Sequence, residues 1–133
     1  MTISFSNTIS TEDYCFLRNS VGFSVVSENQ ARTAIEKSDF IITANVNNIT
    51  VGMVRLITDG LQALIMDLAV HPDYQRKGIG KCLMIKINEY LQSIVKNDDK
   101  ILINLITDSS KLKFYERLGF NKAEGMRLRI GNK

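Results

Sequence analysis

Asp67-Leu68-Ala69-Val70-His71-Pro72-Asp73-Tyr74-Gln75-Arg76-Lys77-Gly78-Ile79-Gly80-Lys81 is the stretch on which the fold turns. It leaves an apolar strand, passes a Pro-marked turn and a glycine-bearing loop, and enters a long helix. That helix carries Ile79, Cys82, Leu83, Ile87, Tyr90, Leu91, Ile94 and Val95 at intervals of three and four, which defines one buried face. The first turn of a helix has unpaired N–H groups and a partial positive charge. Gly78 and Gly80 let those groups approach an anion closely. Arg76, Lys77 and Lys81 add full charges. The plainer alternative is that the two glycines only permit tight helix–sheet packing. A Walker loop is excluded, because no G-x-x-x-x-G-K-[ST] occurs. A dinucleotide fingerprint would need a third glycine where Leu83 stands.

Upstream, residues 39–46, 49–57 and 62–70 are three strand signals in series, rich in Ile, Val and Phe. Asn47-Asn48 and Asp59-Gly60 supply the positive-φ residues of tight hairpins. The three strands therefore read as an antiparallel meander. Before them, Ile3-Ser4-Phe5-Ser6 predicts a short strand, and Thr11-Glu12-Asp13 opens a helix running towards Arg18. Ser27, with Gln30 three residues on, caps a second helix carrying Ala31, Ala34 and Ile35 on one face. Downstream, residues 100–106 form a near-continuous apolar strand of the kind found inside a sheet. Ser109 or Ser110 caps a short helix through Leu118, and Gly119 sits at its C-cap. Phe120 onward, and Met126-Arg127-Leu128-Arg129-Ile130, predict closing strands. The class is α+β or mixed α/β, a mostly antiparallel sheet with helices on both faces.

The 133 residues fit a single domain, with 44% apolar and 23% charged residues. Met66, Met84 and Met126 read as core. No apolar run reaches the roughly 18 residues of a membrane helix, and Met1-Thr2-Ile3-Ser4-Phe5 lacks a secretory signal. The expectation is a cytoplasmic protein away from the membrane. Cys15 and Cys82 read as reduced thiols, Cys82 on the apolar side of the long helix. No metal-ligand spacing occurs. A net charge of +3 is too mild for a nucleic-acid binder. The basic residues are instead local, at Arg76, Lys77 and Lys81 and at Lys111 and Lys113, where a polyanionic cofactor would meet them.

Gln75 to Gly80 resembles the Q/R-x-x-G-x-G/A signature of the GNAT superfamily of N-acetyltransferases. The longer stretch from Asp67 to Lys81 looks like that family's central strand and following loop. Phe114-Tyr115-Glu116-Arg117-Leu118-Gly119-Phe120 is similar to its F-Y-x-x-x-G-F segment, in the expected order and distance. The resemblance spans roughly residues 39–130. It implies a GNAT-like fold and acetyl transfer from acetyl-coenzyme A to a primary amine in a ternary complex. It further implies pyrophosphate binding by Gln75, Arg76, Lys77, Gly78, Ile79, Gly80 and Lys81. A bulge around Leu68, Ala69 and Val70 would grip pantetheine and the thioester carbonyl, and Phe114 would lie against the cofactor, with a place in the core as its alternative. Two positions depart from the family pattern: Asp108 stands where Asn is frequent, and Lys111 where Ala is frequent. Ionised Asp108 accepts but does not donate, while Lys111 is placed to serve a phosphate.

Amide formation needs a neutral amine, and an alkyl ammonium with pKa about 10.4 is neutral about once in a thousand at pH 7. Tyr115 is the candidate acid for the departing thiolate, against a structural hydrogen bond. Asp67 is the second catalytic candidate, against a role holding neighbouring backbone. His71, followed by Pro72, ends the strand and shapes the turn. The favoured acceptor is a small molecule, with a protein amine or a non-catalytic acyl-coenzyme A-binding module as alternatives. C-terminal edge strands would allow a homodimer.

Overall fold

The computed structural model describes residues 1–131. Strands β1 (Ser4–Ser6), β2 (Phe40–Val46), β3 (Ile49–Thr58), β4 (Gln62–Val70) and β5 (Leu102–Asn104) lie side by side in chain order. The first four are antiparallel. β5 runs parallel to β4, because the long helix α3 (Ile79–Ile94) crosses between them. The hairpins form as the sequence predicts: Asn47 and Asn48 take φ of 51° and 64°. The Asp59 carboxylate accepts from the N–H groups of Leu61 (2.9 Å) and Gln62 (3.0 Å).

The sheet separates two apolar clusters. One face packs α3 through Ile79, Leu83, Met84, Ile87 and Leu91, against Ile42, Ala44, Val54, Leu56 and Ile65. The short helix α4 (Leu112–Glu116) joins that face through Tyr115. Against the other face lie α1 (Thr11–Ser20) and α2 (Glu28–Glu36), which bury Tyr14, Leu17 and Ala31 on Met53 and Ala69. Ser10 caps α1 and Ser27 caps α2, each accepting from the N–H three residues on.

Gly52 lets α3 approach β3. A Cβ there would meet Leu83 Cδ1 at 3.2 Å, Ile79 Cγ2 at 3.3 Å and the Ala69 carbonyl at 3.4 Å. Gly52→Val is therefore expected to cost about 1–3 kcal/mol by overpacking, read as a lower urea midpoint with an unchanged slope.

Four sequence expectations are corrected. The segment 120–131 forms no strand, and Met126, Leu128 and Ile130 are 99%, 84% and 88% exposed. Its apolar–basic alternation suits a pleat, but an alternating segment needs a neighbouring strand to bond, and this one has none. Met126 is accordingly not core. The strand predicted over 100–106 shrinks to Leu102–Asn104 at the sheet edge, with Leu102 63% exposed, because β4 pairs with it only at 62–64. Cys82 is exposed: the buried face of α3 is centred on Leu83 and Ile87, and one residue earlier points about 100° away.

Candidate active site

The site begins where the ladder fails. Met53 pairs with Ala69 and Arg55 with Met66, so Asp67 and Leu68 together face Val54. This is a β-bulge, with Asp67 at φ 58°. A bulge bends its strand and withdraws a residue from the ladder. Sequence reasoning expected the bulge over 68–70, so it begins one residue earlier. Past residue 64, β4 and β5 are no longer paired. The cleft that opens encloses about 650 Å³ and is lined by Met66, Asp67 and Leu68, by Thr107 and Asp108, and by Arg18, Phe23 and Tyr115.

Asp67 sits at the base of this cleft with its carboxylate fully engaged. Arg18 Nη1 donates to Oδ1 at 2.7 Å and Arg55 Nε to Oδ2 at 2.7 Å, and the Tyr14 hydroxyl also donates to Oδ2. The two arginine side chains are only 12% and 13% exposed. Burial, then the bond to Asp67, raises the Tyr14 pKa and keeps its proton in place. Burial opposes the Arg55 charge, but the bond to Asp67 and its charge outweigh that, so the Arg55 pKa rises. Arg18 Nη2 also donates to the Ser24 carbonyl at 2.9 Å, and its guanidinium lies 5.4 Å from the Phe23 ring centre. Two guanidiniums on one carboxylate leave a local charge of +1. Asp67 thus ties α1 and β3 to the bulge through side chains alone, rather than holding neighbouring backbone as weighed from sequence.

Tyr115 is 9% exposed and lines the cleft. Its ring meets Phe114 edge-on at 5.0 Å and Phe120 at 5.9 Å. No hydrogen bond to its hydroxyl forms among the described residues, so the structural bond weighed against the acid role is absent. Burial, then the charge of Asp108, raises its pKa above 10, which keeps the phenol protonated at neutral pH. The Asp108 carboxylate accepts from the Ser110 hydroxyl and, at 2.9 Å, from Ser110 N. The hydroxyl bond foremost lowers its pKa, so it is ionised. Lys111 stands beside it on the same cleft wall.

The glycine loop lies at the far end of β4. Gln75 Nε2 donates to the Val70 carbonyl at 2.8 Å and pins the loop to the strand. His71 Nδ1 accepts from Asp73 N at 3.1 Å and caps the tight turn Pro72–Tyr74, as expected of a turn-shaping histidine. Arg76 and Gly78 take φ of 63° and 83°. Alternating backbone handedness of this kind turns successive N–H groups into an anion-binding concavity. No side chain caps α3, and its first helical bond runs from Cys82 N to the Gly78 carbonyl. The N–H groups of Ile79, Gly80 and Lys81 precede it. A Cβ on Gly78 would meet no atom within 4 Å, and one on Gly80 would make only ordinary contact with Phe114 at 3.6 Å. Tight packing therefore does not explain these two glycines; it explains Gly52.

The structure brings Asp67, Leu68, Asp108, Lys111 and Tyr115 to one cleft. It sets residues 75–81 at the adjoining helix start, with Phe114 against Gly80. Ala69 turns its side chain to the α1 side, and Val70 packs on the α3 side with its carbonyl taken by Gln75. Sequence reasoning missed Tyr14, Arg18 and Arg55, which act through separations of 53, 49 and 12 residues. It also missed Arg127 and Arg129, which line the cleft from the tail. Among the described residues there is no cluster fit for a metal ion and no helix long and apolar enough to cross a membrane.

Residues 36–122 match the family model described as an acetyltransferase (GNAT) domain. The chain is 31% identical over 125 residues to the uncharacterized N-acetyltransferase ycf52 of Gracilaria tenuistipitata var. liui, covering 89% of this chain and 65% of that relative. It thus spans less than two thirds of the length of the curated relatives it matches. A probable acetyltransferase from meticillin-resistant Staphylococcus aureus superposes with a TM-score of 0.87 at 27% identity, over 97% of this chain and all of the other. An acetyltransferase of the same family from Streptococcus pneumoniae gives 0.74 at 27% identity, over 99% and 98%.

Proposed function

The chain belongs to the GNAT acetyltransferase family, and from that premise we propose that it transfers an acetyl group from acetyl-coenzyme A to a primary amine of a small molecule, by direct attack in a ternary complex. One observation supports this most: the uncapped start of α3 meets Phe114 at Gly80, and Phe114 meets Tyr115, a protonated phenol with no hydrogen bond among the described residues, in the cleft. When bound, acetyl-coenzyme A supplies an acetyl thioester, an electrophile whose leaving thiol has a pKa of about 8.5.

The chain's own groups divide the remaining work. The N–H groups of residues 76–81 hold the diphosphate, with Arg76, Lys77 and Lys81 adding charge. A bulge frees backbone groups from the ladder, and those freed at Asp67 and Leu68 would polarise the thioester carbonyl and stabilise the oxyanion. Tyr115 donates its proton to the departing sulfur. Gln75 fixes the loop, and Phe114 fixes its distance from α4.

Among the described residues, no side chain lining the cleft is suited to be a general base. Asp67 is bonded by three donors, and Asp108, its pKa lowered, is a weak acceptor of protons. The amine is therefore neutralised by solvent. We expect kcat/KM to rise tenfold per pH unit up to the acceptor's own pKa. It should fall only above pH 10, where the raised pKa of Tyr115 is at last crossed. A plateau near pH 7 would reveal a base and refute this division of roles.

Calorimetry tests the cradle. Acetyl-coenzyme A should bind more tightly than S-acetylpantetheine, which lacks the diphosphate. Arg76→Ala/Lys77→Ala should weaken the first by about tenfold or more and leave the second unchanged. Equal binding of the two thioesters by the parent protein would rule out the loop as the diphosphate site.

A further inference from the structure

We propose that the acceptor amine bears an anionic group of its own, a carboxylate or a phosphate, and that Arg127 and Arg129 receive it. This rests on the acetyl-transfer reading above and names its acceptor class. The cleft's charge balance carries the inference. Arg18, Lys111, Arg127 and Arg129 line it, against two carboxylates, Asp67 and Asp108. Both carboxylates are committed: Asp67 to Tyr14, Arg18 and Arg55, and Asp108 to Ser110. Arg127 and Arg129 have no ion pair among the described residues. No residue of the 75–81 loop lines the cleft, so these two arginines are separate from the cradle proposed for the diphosphate.

A bare ammonium entering here meets like charge from the Arg18–Asp67–Arg55 cluster, from Lys111 and from the tail, and finds no free carboxylate among the described residues. A guanidinium instead takes a carboxylate or phosphate through paired, charge-assisted bonds. An anion held at the tail arginines leaves the amine end of the same molecule free to face the bulge. The Phe23 ring, already under the Arg18 guanidinium, supplies an apolar wall for the linker between the two ends.

The test uses matched acceptors: β-alanine against β-alaninamide, phosphoethanolamine against ethanolamine, and spermidine as a polycation. Release of coenzyme A thiol is followed for each. The anion-bearing member of a pair should show kcat/KM higher by about tenfold or more. Added salt should narrow the gap, and Arg127→Gln/Arg129→Gln should nearly abolish it, with melting unchanged because both side chains are exposed. Which pair shows the larger gap separates carboxylate from phosphate. Neutral members or spermidine turned over as well as the anionic ones would overturn the proposal. So would acetyl-coenzyme A binding with no turnover of either anionic amine. Failure to bind acetyl-coenzyme A at all in calorimetry would instead overturn the acetyl-transfer reading beneath it.

Discussion

Tyr115→Phe is expected to lower kcat by about a hundredfold or more while leaving acetyl-coenzyme A affinity almost unchanged. The range follows from what positioned general acids contribute, about 10²–10⁴-fold. The substitution is clean because the Tyr115 ring, not its hydroxyl, does the packing. Phe keeps the edge-on contacts with Phe114 and Phe120. The hydroxyl gives up no bond among the described residues, so the melting temperature should hold or rise slightly. A loss of rate without a loss of stability or binding is the mark of a group acting on the reacting atoms. Steady-state thiol release, calorimetry and a thermal melt read the three quantities on the same preparation. An unchanged kcat would remove Tyr115 from the acid role. A parent protein that binds the thioester but turns over no amine would favour the non-catalytic module instead.

What the sequence disclosed depended on the range over which each signal acts. The meander was legible because Asn47-Asn48 and Asp59-Gly60 fix hairpins within a few residues. The glycine loop and the start of α3 were legible because glycines, basic residues and a helical period adjoin one another in the chain. Tyr115 came only from the family segment around it; nothing in its local pattern separates it from a core aromatic. The cluster under Asp67 was invisible, since Arg18 and Arg55 carry no local mark and meet Asp67 only after the sheet and α1 are assembled. The tail failed for the opposite reason. Its alternation is as regular as that of a strand, but pattern alone does not supply a neighbour, and Met126, Leu128 and Ile130 remain in solvent. Cys82 failed because its three-residue step from Ile79 looked like part of the face, whereas the face turns towards Leu83 and Met84.

Asp67→Ala should be among the most destabilising single changes in the chain, at about 3–5 kcal/mol. Two causes act together. The first is electrostatic: Arg18 and Arg55, both largely buried, lose their shared counter-ion and face each other unpaired. The second is steric: Asp67 holds φ 58°, a conformation that Asp and Asn tolerate and Ala does not. Asp67→Asn separates them, because it keeps the backbone and one acceptor oxygen while deleting the charge. Arg55→Met should cost less than Asp67→Ala, since it removes one of two like charges and leaves Arg18 paired with Asp67. The expected order of stability is therefore parent, Arg55→Met, Asp67→Asn, Asp67→Ala. The last should melt on the order of 10–20 °C below the parent. Because the cluster ties α1 to the bulge, the destabilised variants should also lose kcat/KM at temperatures where they are still folded. Asp67→Ala within about 1 kcal/mol of the parent in urea titration would mean that the carboxylate is not the counter-ion of the cleft. Asp67 would then return to consideration as the base.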